Sequence, residues 1–165
     1  MIVKRYILLT LLCAGFAVQA ETTAFVNISL VPMSEETVID GQTVIVVDGL
    51  ISQIGEVDSV PVPEGATVVD GTDRYLMPGL VEMHAHIPGV GTEALERVLT
   101  LFAVNGVTTV RGMLGRQSHL QLRADLQQGR VFGPRLVTSG PSLNGNSVSG
   151  PADARAKVRA QFDAG

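Results

Sequence analysis

The spacing of hydrophobic positions along this chain changes near Thr92. Before that point apolar residues occur in short β-branched and aliphatic runs, such as 43–47 and 50–54, which is the pattern of β-strands. From Thr92 onward apolar residues recur at helical spacing, beginning with Leu95 and Leu99. Strand and helix patterns then alternate to the end of the chain. This alternation predicts an α/β fold with a parallel sheet.

Asp-Gly pairs divide the first part of the chain. Asp48-Gly49 joins the two apolar runs and predicts a tight hairpin, because a type I′ turn needs positive φ at both central residues. Asp40-Gly41 and Asp70-Gly71 repeat the signal. Residues 24–77 are therefore expected to be β-structure.

Three strands and three helices are expected after Pro78. Thr92 is suited to cap the first helix, and Ser118 the second, whose Leu122 and Leu126 would face inward. Pro151 suits the first turn of a third helix. The apolar stripe of that helix consists of Ala154, Val158 and Phe162. The strands are expected between Pro78-Gly79 and Pro88-Gly89, at 107–111 and at 135–139.

The N-terminal segment has the features of a secretory signal peptide. Lys4 and Arg5 precede an apolar run at 6–18, and small residues lead up to Ala20. The run is shorter than the roughly 20 apolar residues that span a bilayer, which argues against a membrane anchor. Cleavage after Ala20 would leave a mature chain that begins at Glu21 and is periplasmic or secreted.

Net charge and cysteine content limit the kinds of partner and of metal ligand that are expected for this chain. The formal net charge of −4 argues against nucleic acid or an anionic membrane as a partner. The single cysteine, Cys13, lies inside the predicted signal peptide. A mature chain without cysteine can form no disulfide, so a metal site would need His, carboxylate or a modified lysine.

Two histidines mark the candidate site. His84 and His86 follow an apolar run, and residues i and i+2 of a strand point to one face, so two imidazoles would lie side by side. Neutral imidazole is a good ligand for zinc and similar metals. Glu82 has the same parity and would act as a hydrogen-bond acceptor that fixes a histidine tautomer. The alternative for the isolated pattern is a pair of strand histidines facing solvent.

The stretch 78–86, Pro-Gly-Leu-Val-Glu-Met-His-Ala-His, resembles the first metal motif of the amidohydrolase superfamily. Segments 106–111 and 133–140 are similar to the branch with imidazolonepropionase-like and prolidase-like enzymes. Gly112 departs from the pattern, because relatives often carry Asp there. The resemblance implies an incomplete (β/α)₈ TIM-type barrel of about three βα units at 78–165, since a whole barrel takes roughly 250 residues.

The same resemblance implies that residues 21–77 are part of a small β-sandwich; a free-standing β-domain is the alternative. It implies a divalent metal, with zinc as first choice and one or two ions in the complete enzyme. Further ligands would come from later strands: a lysine or glutamate, two histidines, and an aspartate that also serves as general base. The implied activity is hydrolysis of a carbon–nitrogen bond in a small amide, cyclic amide or dipeptide-like substrate.

The positions of two further residues indicate their roles. Arg111 ends the strand expected at 107–111, on the face expected to carry the active site, and is a candidate for binding a substrate carboxylate, with a structural ion pair as the alternative. His119 is expected on the surface, because an outer helix faces away from the barrel mouth.

The competing function is a non-catalytic, exported, β-rich or truncated product without hydrolase activity.

Overall fold

A computed structural model describes residues 21–165; the predicted signal peptide at 1–20 lies outside them. The described chain is mixed α/β, with eight strands and three helices. It divides into two compact units at the peptide between Met77 and Pro78. Within residues 21–165, no helix is long and apolar enough to cross a membrane.

The first unit is one mixed sheet. Its strands are β1 (Thr22–Leu30), β2 (Ile39–Val47), β3 (Leu50–Glu56), β4 (Thr67–Asp70) and β5 (Tyr75–Leu76). The order is β3-β2-β1-β4, and β5 pairs with β1 beyond β4. β1 is antiparallel to β2 but parallel to β4 and β5. Ala24, Ile45 and Val60 form its buried core.

Of the three Asp-Gly signals, the one at Asp48-Gly49 is confirmed as a hairpin. Val47 pairs with Leu50 across the turn, and Asp48 and Gly49 have φ of 49° and 77°. Asp40-Gly41 is wrong as a hairpin, because it lies within β2. Gly41 has φ 64° at a point where the register with β1 shifts, so the positive φ serves a bulge in the strand.

Asp70-Gly71 is also wrong as a hairpin. It links β4 to β5, which both run parallel to β1. The Asp70 carboxylate accepts hydrogen bonds from the Thr72 backbone N–H (3.0 Å) and hydroxyl (2.7 Å), which hold the pKa of Asp70 below its usual range. Gly71 is needed for close approach, because a Cβ there would lie 2.5 Å from the Ile28 Cβ.

The second unit alternates strands and helices as predicted. Its elements are β6 (Leu80–His86), α1 (Glu93–Val104), β7 (Val107–Met113), α2 (Ser118–Gln127), β8 (Arg135–Thr138) and α3 (Pro151–Asp163). The sheet order is β6-β7-β8, with every pair parallel. The predicted parallel α/β arrangement is therefore confirmed for this unit.

One hydrophobic cluster joins the sheet to the first two helices, so α1 and α2 cover the same face of the sheet. The Thr92 cap of α1 is confirmed, since its hydroxyl accepts from the Leu95 N–H at 3.3 Å. Each fully buried apolar side chain of the cluster stabilises the fold by roughly 1.5–3 kcal/mol. The buried members of the cluster are Ala85, Ile87, Leu95, Leu99, Val110, Leu122, Leu126 and Leu136.

The expected Ser118 cap is wrong, and the apolar stripe of α3 is not buried. Ser118 is the first residue of α2; the N-cap is Gln117, whose side chain makes no capping bond. In α3 no residue is buried, and Val158 and Phe162 are 56% and 84% exposed. The stripe has helical spacing, but none of the described residues buries it.

Candidate metal centre

His84 and His86 lie at the C-terminal end of β6, on the face of the sheet that the helices leave open. They alternate with Ala85, which is buried in the core cluster, so both side chains point away from the helices. Their ring centroids are 5.4 Å apart and the planes are tilted by 41°. Both residues are exposed. Zn–N bonds are about 2.0–2.1 Å, so an ion shared by the two rings would have to lie between them.

Glu82 is engaged with the main chain of the same strand. Its carboxylate accepts a hydrogen bond from the backbone N–H of His84 at 2.7 Å. The register of β6 against β7 shifts between Glu82 and Ala85. Strict alternation of side chains therefore does not extend back to Glu82, and Glu82 need not point to the same face as the two histidines. Its effect on a histidine tautomer stays a prediction.

The histidine pair opens onto a cleft at the carboxyl ends of the parallel strands. The cleft has a volume of about 480 Å³. Two hydrogen bonds hold the loop that forms its wall. The Gly115 N–H donates to the Ser139 hydroxyl at 3.2 Å, and the Gln161 amide donates to the Pro141 carbonyl at 2.8 Å. The lining consists of His84, His86, Met113, Leu114, residues 139–143 and Gln161.

Arg111 is not brought to this cleft. It lies two residues before the end of β7 and alternates with buried Val110 and Gly112, which places it on the open face. It does not line the cleft with the histidines, and no ion pair recorded within residues 21–165 involves it. Its role toward a substrate carboxylate stays a prediction.

The described residues supply part of a metal site. Two adjacent imidazoles suit zinc and similar divalent ions. Among residues 21–165, no group of three or more His, Cys, Asp or Glu side chains is close enough to hold an ion. A catalytic zinc usually has three protein ligands, so this donor set is incomplete by at least one.

Known proteins resemble this chain in sequence and in fold. No family model matches it. Over 73 residues, 42% of this chain and 16% of the relative, it is 38% identical to the dihydroorotase of Mycobacterium tuberculosis. A proposed prolidase from Bifidobacterium longum superposes with a TM-score of 0.75 and 27% identity, over 88% of this chain and 39% of that one. The structure of an amidohydrolase superposes with a TM-score of 0.72 and 22% identity, over 87% and 45%.

The chain belongs to the amidohydrolase superfamily.

The resemblance inferred from the stretch 78–86 is thereby confirmed, and it concerns the N-terminal part of the superfamily's fold. The chain spans less than half the length of the two amidohydrolase-like structures, and its match covers about a sixth of the dihydroorotase.

Gly112, where amidohydrolase relatives often carry Asp, lies against two core side chains in this chain. It is buried in β7, and a Cβ there would meet Ile87 at 3.2 Å and Leu136 at 3.3 Å. A carboxylate at this position would lose hydration beside two core side chains. The departure from the superfamily pattern therefore agrees with local packing.

His119 is the residue that sequence reasoning misplaced. It is 1% exposed, so its expected surface position is wrong. Its Nδ1 accepts from the Arg116 N–H at 3.3 Å, and its Nε2 lies 3.2 Å from the Pro88 carbonyl oxygen. The signal was present in the spacing, because His119 precedes Leu122 by three residues and Leu126 by seven, on the stripe of α2 that packs on the sheet.

Proposed function

We propose that this chain is the N-terminal portion of an exported, metal-dependent hydrolase of carbon–nitrogen bonds. The observation that carries the proposal is the pair of exposed imidazoles, His84 and His86, side by side at the carboxyl end of β6. In parallel α/β barrels this edge carries the active site. The three βα units would be the first part of such a barrel, and residues 21–77 part of an accompanying β-sandwich.

His84 and His86 would each give one ring nitrogen to a divalent ion, with zinc as first choice. Bound there, the ion would act as a Lewis acid on the scissile carbonyl and make water a better nucleophile. The chain's own contribution is to hold both rings at one strand end. Glu82 supports this by fixing the His84 backbone amide. The missing ligands and the general base would come from later strands.

The substrate class that we propose is a small amide, cyclic amide or dipeptide-like molecule. Support comes from relatives named dihydroorotase and prolidase. The cleft beside the histidines is open, and the 139–143 loop forms one wall. Polar Ser139 and Ser142 on that wall would offer hydroxyls to a substrate of this kind.

Metal analysis of single variants tests the proposal. His84→Ala and His86→Ala should each lower bound zinc or cobalt, because each removes one ring nitrogen from the ion. Met83→Ala is the matched control, since Met83 lies in the same strand and is 56% exposed. Circular dichroism should show equal folding of all three variants. Wild-type metal content in both histidine variants would overturn the proposal.

The second candidate is a non-catalytic exported product. It is favoured by one observation, the lack of a third ligand near the histidines among residues 21–165. The nucleotide sequence after the Gly165 codon separates the two candidates. A continuing frame that encodes a strand with Lys or Glu, followed by spaced histidines, supports the enzyme; an immediate stop supports the non-catalytic product.

Export is a separate part of the proposal. It rests on the basic residues Lys4 and Arg5, the apolar run after them and the small residues that end at Ala20. N-terminal sequencing of the protein from its native host should find Glu21 first. Recovery of a chain that still begins with Met1 would contradict export by this route.

A further inference from the structure

His119 makes a connection between two βα units. It lies in the first turn of α2, and its Nε2 contacts the carbonyl of Pro88, 31 residues earlier in the chain. Pro88 belongs to the loop that leaves β6 directly after His86. The ring is almost completely buried, at 1% exposure, so water does not compete for these bonds.

The two hydrogen bonds define the protonation of the ring. Nδ1 accepts the N–H of Arg116, so it carries a lone pair and no proton. The Pro88 carbonyl oxygen has only lone pairs to offer, so Nε2 must be the donor. His119 is therefore the neutral Nε2–H tautomer, and each ring nitrogen has one partner.

The Pro88 carbonyl is one of three successive anchors of the loop. Ile87 is buried in the core cluster, and the Thr92 hydroxyl donates to the Gly89 carbonyl at 2.8 Å. Proline has no backbone N–H, so its carbonyl is the main-chain group through which this position can be held. The bond from His119 comes from α2, whereas the Thr92 bond stays within the loop itself.

We propose that His119 is a positioning residue for the histidine pair. By tying the start of α2 to the loop just beyond His86, it restrains the end of β6 and keeps the His86 ring beside His84. The consequence for metal binding rests on the proposed function; the restraint on the loop does not.

Two substitutions separate the two bonds of the ring. His119→Gln places an amide nitrogen near the position of Nε2 and keeps a donor toward Pro88. His119→Asn places an amide oxygen near the position of Nδ1 and keeps the Arg116 bond, but it is too short to reach Pro88. The two variants are matched in polarity and differ in which of the two bonds they keep: Gln keeps the bond to Pro88, and Asn keeps the bond from Arg116. Leu126→Val, in the same helix, controls for a general loss of stability.

Hydrogen exchange of residues 86–92 in the full chain, followed by mass spectrometry, measures the restraint without any metal. The wild type and His119→Gln should exchange alike, and His119→Asn about fivefold faster, the factor expected for one lost hydrogen bond. Leu126→Val should not accelerate this segment selectively. A long-range ¹H–¹⁵N spectrum of the wild type should show the Nε2–H tautomer.

A titration with Co²⁺ alone measures the consequence. The wild type and His119→Gln should bind with equal affinity, and His119→Asn more weakly. Equal exchange and equal affinity in the Gln and Asn variants would overturn the positioning role, as would an Nδ1–H tautomer. A wild type without even the weak Co²⁺ binding expected of two imidazoles would instead overturn the proposed function, and the exchange data would still decide whether His119 restrains the loop.

Discussion

At the scale of single residues, the histidines differ in what surrounds their rings. His84 and His86 are exposed, with ring centroids 5.4 Å apart, and their exposure leaves the rings accessible to a ligand. His119 is buried, and both of its nitrogens are occupied by backbone groups. A histidine side chain is therefore suited to metal binding in the exposed position and to structural hydrogen bonding in the buried one. The difference comes from whether backbone donors and acceptors are within reach of the ring.

Glycine at position 115 allows the loops behind the cleft to meet. A Cβ there would lie 1.6 Å from the Ser139 carbonyl oxygen, which is backbone and cannot swing aside. Gly115→Ala should therefore displace the loop and cost about 1–3 kcal/mol of unfolding free energy, as overpacking does. Urea denaturation measures the loss. Gly145→Ala is the control, because a Cβ there meets nothing within 4 Å, and an equal loss in both variants would contradict the steric explanation.

At the scale of elements, burial separates the three helices. α1 packs Leu95 and Leu99 into the core, and α2 packs Leu122 and Leu126. α3 buries no residue, and Phe162 at its end is 84% exposed. Most helical stability in proteins comes from packing of the apolar face, so α1 and α2 should resist opening more than α3.

The end of α2 carries a stability contribution that depends on pH. Asp125 accepts hydrogen bonds from Gln121 and from Arg130, each at 2.9 Å, and these bonds hold the pKa of Asp125 below its ordinary value of 3.8. A carboxyl whose pKa is lower in the folded state than in the unfolded chain stabilises the folded state when the pH is above its unfolded-state pKa. That stabilisation disappears as the pH falls through the folded pKa.

Asp125→Asn should therefore lower the unfolding free energy at pH 7, and its difference from wild type should shrink as the pH falls below the ordinary carboxyl value of 3.8. Denaturation at a series of pH values measures this. Arg130→Gln removes part of the same interaction from the other side and should show a loss with the same direction of pH dependence. A loss that stays constant as the solution is acidified would show that packing, and not the carboxylate charge, is responsible.

At the scale of the whole chain, the second unit exposes many large apolar side chains. Parallel sheets are normally covered on both faces, but here the histidine-bearing face is open. Exposed apolar surface and unpaired strand edges favour association between copies. The exposed apolar residues of its strands include Leu80, Val81, Met83 and Val137.

We predict that the 165-residue chain by itself is inactive as a hydrolase, binds divalent metal weakly and aggregates with increasing concentration. Two imidazoles without a third nearby ligand leave an ion open to water. Metal titration, light scattering and assays with amide and dipeptide substrates test this. Metal-dependent turnover that is abolished by a chelator would contradict the prediction.

The sequence by itself determined the features that depend on neighbours a few residues away. The Asp48-Gly49 hairpin, the Thr92 cap and the inward face of Leu122 and Leu126 follow from turn chemistry, capping and helical spacing. In each of these interactions the two partners are only a few residues apart, so a short stretch of sequence contains both of them. The superfamily followed in the same way from the short stretch 78–86.

The tertiary structure decided the features whose partners are distant in sequence. Asp40-Gly41 forms a bulge because β2 must pair with β1, and His119 is buried because Pro88, 31 residues away, offers a carbonyl to its ring. The α3 stripe has the right spacing but no packing partner among the described residues. Spacing predicts which face of an element is apolar, whereas burial requires a second surface, and that surface is created by the fold.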